Sequence, residues 1–128
     1  MGTKLQGYNR NTPGSARADD YRQAFLALES QAQMTETRRK LLRVHYRFYH
    51  HQATMSQIAE AMGWKSFSSA NVHYGRLAQL VGEEMGFQVD GAFSSALGTF
   101  VAPEEPGDHW LIIMRPQVAE ALRQLGWT

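Results

Sequence analysis

The chain has 128 residues, 43% of them hydrophobic, a formal net charge of +1 and no cysteine. These values fit one globular domain with a buried core, exclude disulfides and thiolate metal sites, and fall short of the strong positive charge of a typical nucleic-acid binder. No apolar run approaches the roughly 20 residues of a membrane span, and the N-terminus lacks the apolar stretch of a secretory signal, so a cytoplasmic protein with no membrane partner is expected.

Residues 1–18 are polar and rich in Gly, Asn, Ser and Thr, and are expected to form a flexible arm ahead of a single domain at 19–128. Lys4, Arg10 and Arg17 give this arm the means to touch a phosphate backbone. Asp19 and Asp20 then open a helix, with acids at the positive end of its dipole and Tyr21, Phe25 and Leu28 on one face. It should fade near Gln33. Thr35 caps a second helix, expected to run through His51. Leu41, Val44 and Phe48 mark its buried stripe, flanked by Leu42, Tyr46 and Tyr49. Arg39, Lys40, Arg43 and Arg47 fall on its outer side. His50 and His51 are adjacent, so they point in different directions, and no carboxylate lies at ligand spacing; no metal site is expected there.

Gln52 to Met55 reads as a short extended segment. After it, Thr54 to Met85 reads as two helices joined by a turn. Thr54 and Gln57 form a capping box, Gly63 is placed to end the first helix, and Ser66 or Ser68 opens the second. The inward face of the second helix is expected to run Phe67, Ala70, Tyr74, Leu77, Val81, Met85. Gly75 either packs against a neighbouring helix or lets another backbone approach. Helix, turn, longer helix is the arrangement that puts a second helix into a DNA groove; a plain helical hairpin gives the same pattern.

Beyond Met85, the small residues Ala92 to Ala96 read as connection. Leu97–Pro103 and His109–Met114 read as two strands around the loop Glu104–Asp108, a two-stranded wing. Trp110 should then face the helices from the second strand. Trp64 and Trp110 are either core anchors or an aromatic wall for an unstacked or modified base. Arg115-Pro116 opens a final helix with Val118, Ala121, Leu122 and Leu125 inward. Gly126 stops it and Trp127 folds back onto the core. The expected class is therefore α+β, mostly helical, a winged helix-turn-helix-like domain with a final helix.

Charge is segregated along this order. From Met34 to Arg76 there are seven bases against two acids, and from Leu77 onward two bases against seven acids. A basic half suits phosphates, and an acidic half suits a protein partner. No glycine-rich phosphate loop is present, no nucleophile elbow surrounds Ser68-Ser69, and the carboxylates lie away from the histidines, so neither catalysis nor a cofactor is expected. The second helix of the pair instead offers a polar set. Ser68, Asn71, Val72, His73 and Arg76 are expected to face DNA bases, where Asn reads adenine and Arg reads guanine. Arg38, Arg39, Lys40, Arg43 and Lys65, with Ser66 and Ser69 at the helix start, are expected to hold the backbone.

The segments AEAMGWKSFSSANVHYGRLAQLVGEEMG and HWLIIMRPQVAEALRQLGW resemble a small bacterial helix-turn-helix-like domain that precedes HNH endonuclease domains and also occurs as free-standing proteins. The resemblance spans Met34 to Trp127. It implies a DNA-targeting module, one that can sense target modification, linked to restriction or mobile-element systems. No HNH constellation follows. Phe67-Ser68-Ser69 departs from the pattern by making the turn look about three residues too long for groove docking. Two functions are thus expected in competition: a non-catalytic module for double-stranded DNA, or a protein-interaction module, such as a phage-type inhibitor or adaptor, that uses the acidic half.

Overall fold

The computed structural model describes residues 12–87 and 93–128. Among these residues the chain is α+β, with five α-helices and a three-stranded antiparallel sheet. The order is α1 (Ala18–Ser30), α2 (Glu36–Arg47), β1 (Gln52–Thr54), α3 (Met55–Met62), α4 (Phe67–Met85), β2 (Gly98–Val101), β3 (Leu111–Met114) and α5 (Pro116–Leu125). The strands lie in the order β1-β3-β2, so the segment expected before α3 joins the two later strands. Gln52 pairs with Ile113 and Thr54 with Leu111 on one side of β3, while Phe100 pairs with Ile112 and Val101 with Leu111 on the other.

Local chemistry explains most boundaries. The Thr54 amide donates to Gln57 Oε1 at 2.8 Å and the Gln57 amide donates to Thr54 Oγ1 at 3.1 Å, closing the capping box of α3. Gly63 takes the left-handed conformation (φ 79°) that ends this helix, and Gly126 does the same for α5 (φ 72°). Trp127 then turns back, is buried, and stacks on Phe25 with ring centroids 6.1 Å apart. Tyr21, Phe25 and Leu28 are buried on α1 as their spacing predicts.

Four expectations are corrected. Residues 63–66 form a four-residue turn, because Phe67, Ser68 and Ser69 belong to the first turn of α4. The connection therefore has ordinary length. Second, α2 stops at Arg47, four residues short of His51. Phe48 is extended, and His50 and His51 take positive φ of 53° and 56°. The His51 ring Nδ1 lies 2.6 Å from the Tyr46 carbonyl, supplying a partner for one of the acceptors a helix end leaves open. Third, Leu41, Leu42 and His45 form the buried face of α2, and Val44 and Phe48 are only half-buried. Fourth, Trp110 precedes β3 and is 55% exposed. It has the parity of buried Ile112 and Met114, but the helical cover ends before it.

The packed chain also starts earlier than composition indicates. Ala16 is buried and its carbonyl accepts from Gln117 Nε2 at 3.0 Å, while residues 1–11 lie outside the described residues. Of the connection after Met85, residues 88–92 lie outside them as well. From Phe93 to Ala96 the chain forms a 3-10 turn. That turn is pinned by Arg115 Nε donating to the Ser95 carbonyl at 2.9 Å and by the Tyr21 hydroxyl donating to the Ala96 carbonyl.

Candidate functional site

Helix α4 positions the site. Its inward side carries Ala70, Tyr74, Leu77, Ala78, Val81 and Met85, all buried. The five residues expected to face bases are all exposed, but they do not share one direction. At about 100° per residue, Ser68, Val72 and Arg76 form the outward ridge, while Asn71 and His73 fall on opposite flanks. Val72 is 70% exposed at the crest of this ridge. His73 stacks on Trp64, ring centroids 4.5 Å apart and 21° from parallel, so it braces the turn before α4. Trp64 itself is half-buried against the core. Asn71 turns the other way, into a concavity.

The concavity has a volume of about 460 Å³. Met55 of α3, Phe67 and Asn71 of α4, Phe100 of β2 and Ile112 of β3 line it, with Asp108, His109 and Trp110 from the loop between the strands. Phe67 and Asn71 are four apart, so α4 presents both on one flank. Phe67, placed inward by its spacing, is 44% exposed because it sits at the first residue of α4, past the core's edge. Phe100 is 41% exposed. The His109 ring meets the Phe67 ring edge to face at 5.2 Å and its Nε2 lies 3.4 Å from Ser56 Oγ. Three aromatic rings thus surround an open hollow whose polar groups are an amide, a carboxylate and an imidazole. Of these residues, sequence reasoning marks only Trp110 as a wall and only Asn71 as a contact. For Phe67 the signal is its helical spacing at the first residue of α4, and the loop residues Asp108 and His109 carry none.

A second feature shares Ile112 with this hollow. His45 of α2 is fully buried, the one buried polar or charged residue among the described residues. Its Nε2 is 3.0 Å from the Ile112 carbonyl and its Nδ1 is 2.8 Å from the Tyr74 hydroxyl. A carbonyl can only accept, so Nε2 carries the proton and Nδ1 accepts from Tyr74. This neutral tautomer ties α2, α4 and β3 together. Burial holds the imidazole well below its ordinary range, at about 4, and pushes the Tyr74 hydroxyl upward. Among the described residues no buried side-chain nitrogen or oxygen lacks a hydrogen-bond partner.

The cations expected to hold a DNA backbone divide into two groups. Arg38 donates to the Gln33 carbonyl at 2.7 Å. Arg39 lies over the Trp127 ring at 4.4 Å and beside Glu29 at 3.5 Å. Arg47, outside that set, donates to the Thr128 carbonyl at 2.9 Å. These guanidinium groups have structural partners. Lys40, Arg43 and Lys65 have no ion-pair partner among the described residues, and Arg76 meets only the neutral Gln79, at 3.2 Å. Ser66 occupies the N-cap of α4, yet its hydroxyl makes no capping bond. Ser69 is half-buried one turn on. No helix is long and apolar enough to cross a membrane, and no three His, Asp or Glu side chains gather as metal ligands, among the described residues. Set against family models, curated proteins and solved structures, the chain matches none of them.

Proposed function

We propose that this chain is a non-catalytic module for double-stranded DNA, a winged helix-turn-helix in which α4 enters the major groove. The observation that carries the reading is the outward ridge of α4: Ser68, Val72 and Arg76 are exposed on a helix whose opposite side is buried. Arg pairs with guanine and an apolar side chain meets the thymine methyl, so this ridge has the chemistry of direct readout. The order α2, β1, α3, α4, β2, β3, with β1 joined to the wing strands, and the four-residue turn support the same reading. Lys65 and the uncommitted Ser66 hydroxyl stand where α4 begins, a position suited to a phosphate. The resemblance to the domain that precedes HNH endonuclease domains supports a targeting role in restriction or mobile-element systems.

The reading is tested by selecting a preferred duplex from a random pool. Binding of wild type, Arg76→Ala and Lys65→Ala is then measured on that site and on scrambled duplex across a salt series. Arg76→Ala is expected to lose about 1–3 kcal/mol on the selected site and to relax discrimination there. Lys65→Ala is expected to weaken both duplexes alike and flatten the salt slope by about one unit. If wild type selects no site and binds generic duplex without salt dependence, the module does not read DNA.

A further inference from the structure

We propose that the concavity beside α4, together with the adjoining edge of β2, holds an extended segment of a partner protein that carries a large apolar side chain and a lysine or arginine. This goes beyond the DNA reading and does not depend on it. Large apolar side chains exposed singly need no explanation, but Phe67, Phe100 and Trp110 are exposed together around one hollow. Tryptophan in such a position is a frequent anchor of protein interfaces. The hollow has room for a large side chain.

Charge selects the occupant. The loop at 102–110 contains Glu104, Glu105 and Asp108 and neither lysine nor arginine. No lysine or arginine lines the hollow, and Asp108 does. A phosphate-bearing strand entering here would meet carboxylates with no cation to offset them, whereas a cationic side chain finds its complement. The sheet supplies the backbone half of the recognition. β2 is the terminal strand of the order β1-β3-β2 and pairs with no second strand among the described residues. Thr99, Phe100 and Val101 are all exposed. Phe100 pairs with Ile112, and both line the hollow. A strand added at the outer edge of β2 would place every second side chain on the same face as Phe100, over the hollow.

The test uses the full chain, immobilised, to select from a displayed library of random peptides about nine residues long, with Trp110→Ala and Asp108→Lys selected in parallel. Wild type is expected to enrich peptides that combine an aromatic or large aliphatic residue with lysine or arginine. The most enriched peptide is then synthesised and titrated by NMR. It should shift the Trp110 indole N–H and the Phe100 and Val101 amides, and each variant should weaken it about tenfold or more, as expected for a central aromatic or a buried charge contact. Both substituted residues are exposed, so both variants should melt as wild type does. Failure of wild type to enrich any peptide over Trp110→Ala would overturn the proposal, as would enrichment of peptides without a basic residue. Displacement of the peptide from the same resonances by a single-stranded oligodeoxynucleotide of equal or higher affinity would assign the hollow to nucleic acid instead.

Discussion

Two ends of the space between α4 and β3, which His45 of α2 bridges, invert the ordinary distribution of polarity. At the inner end, polar groups are buried: the imidazole of His45, the hydroxyl of Tyr74 and the carbonyl of Ile112 meet in the core, fully paired. At the outer end, apolar groups are exposed: Phe67, Phe100 and Trp110 ring a hollow open to solvent. Asn71 and Tyr74 are less than one helical turn apart, and Ile112 takes part in both ends. The contrast separates what holds the fold from what is left for a partner. A buried polar group is retained only when its hydrogen bonds are satisfied, so the inner end is costly to alter. Exposed rings contribute little to folding, so the outer end can be altered freely.

The sharpest way to break this contrast is His45→Ala. It removes a buried ring and orphans the Tyr74 hydroxyl and the Ile112 carbonyl, so we expect a loss of about 3 kcal/mol or more in urea denaturation. A wild-type midpoint would show that the inner end is not structural.

Next comes Gly98→Ala, at the first residue of β2, paired with Met114. A Cβ there would lie 2.7 Å from Ile112 Cγ1 and 2.8 Å from the Ile113 carbonyl oxygen. Forcing β2 away from β3 should cost roughly 2 kcal/mol. An unchanged melting temperature would mean that the sheet relaxes at this end.

Acid should weaken the inner end. The folded-state pKa of His45, about 4, lies below its unfolded value of 6.5, so the unfolded chain binds the proton first. Stability is then full at neutral pH and falls as pH drops through the unfolded value, by about 2 kcal/mol between about pH 7 and about pH 5. Asp19 and Glu120, held below the ordinary carboxylate range by hydrogen bonds from Arg22 and Arg123, lose their contributions only at lower pH. The check is a series of urea denaturations over this range, repeated for a folded His45 variant such as His45→Gln, in which the slope should vanish. A slope that persists there would assign the acid sensitivity to another group.

The smallest effects belong to the outer surface. Gly75 lies within α4, and a Cβ added to it would meet nothing within 4 Å, which goes against the first of its two readings, packing against a neighbouring helix of the chain. Gly75→Ala should raise stability by about 1 kcal/mol through helix propensity. Trp110→Ala, at a residue whose strand parity alone would place it against the helices, should shift stability by no more than about 0.5 kcal/mol, as surface changes do. A loss of several kcal/mol would return Trp110 to the core and close the hollow.

Much of this fold is legible in the sequence because its signals are local. Thr54 and Gln57 cap α3 three residues apart, Gly63 and Gly126 end helices, and Tyr74, Leu77 and Val81 repeat at helical spacing. The candidate site is less legible, because periodicity tells which way a side chain points and not how far its cover extends. Phe67 and Trp110 point as predicted, but each lies one step past the packing that would bury it. His45 is hidden for a different reason. It sits within the basic run of α2, where a polar residue reads as solvated, and its partners are 29 and 67 residues away. Nothing in Tyr49-His50-His51 announces two left-handed residues either.

The strand order has a consequence for synthesis. β1 finds its only described partner, β3, about 60 residues later, and α1 packs against α5 across nearly the whole described chain. A nascent chain that has released α3 and α4 still holds β1 unpaired and leaves the face of α1 that meets α5 uncovered. Closure waits for β3 and α5 to leave the ribosome, and such long-range pairing is slow and prone to aggregation. The helical pair can therefore form early, while the hollow beside it exists only after Leu111 to Met114 have docked.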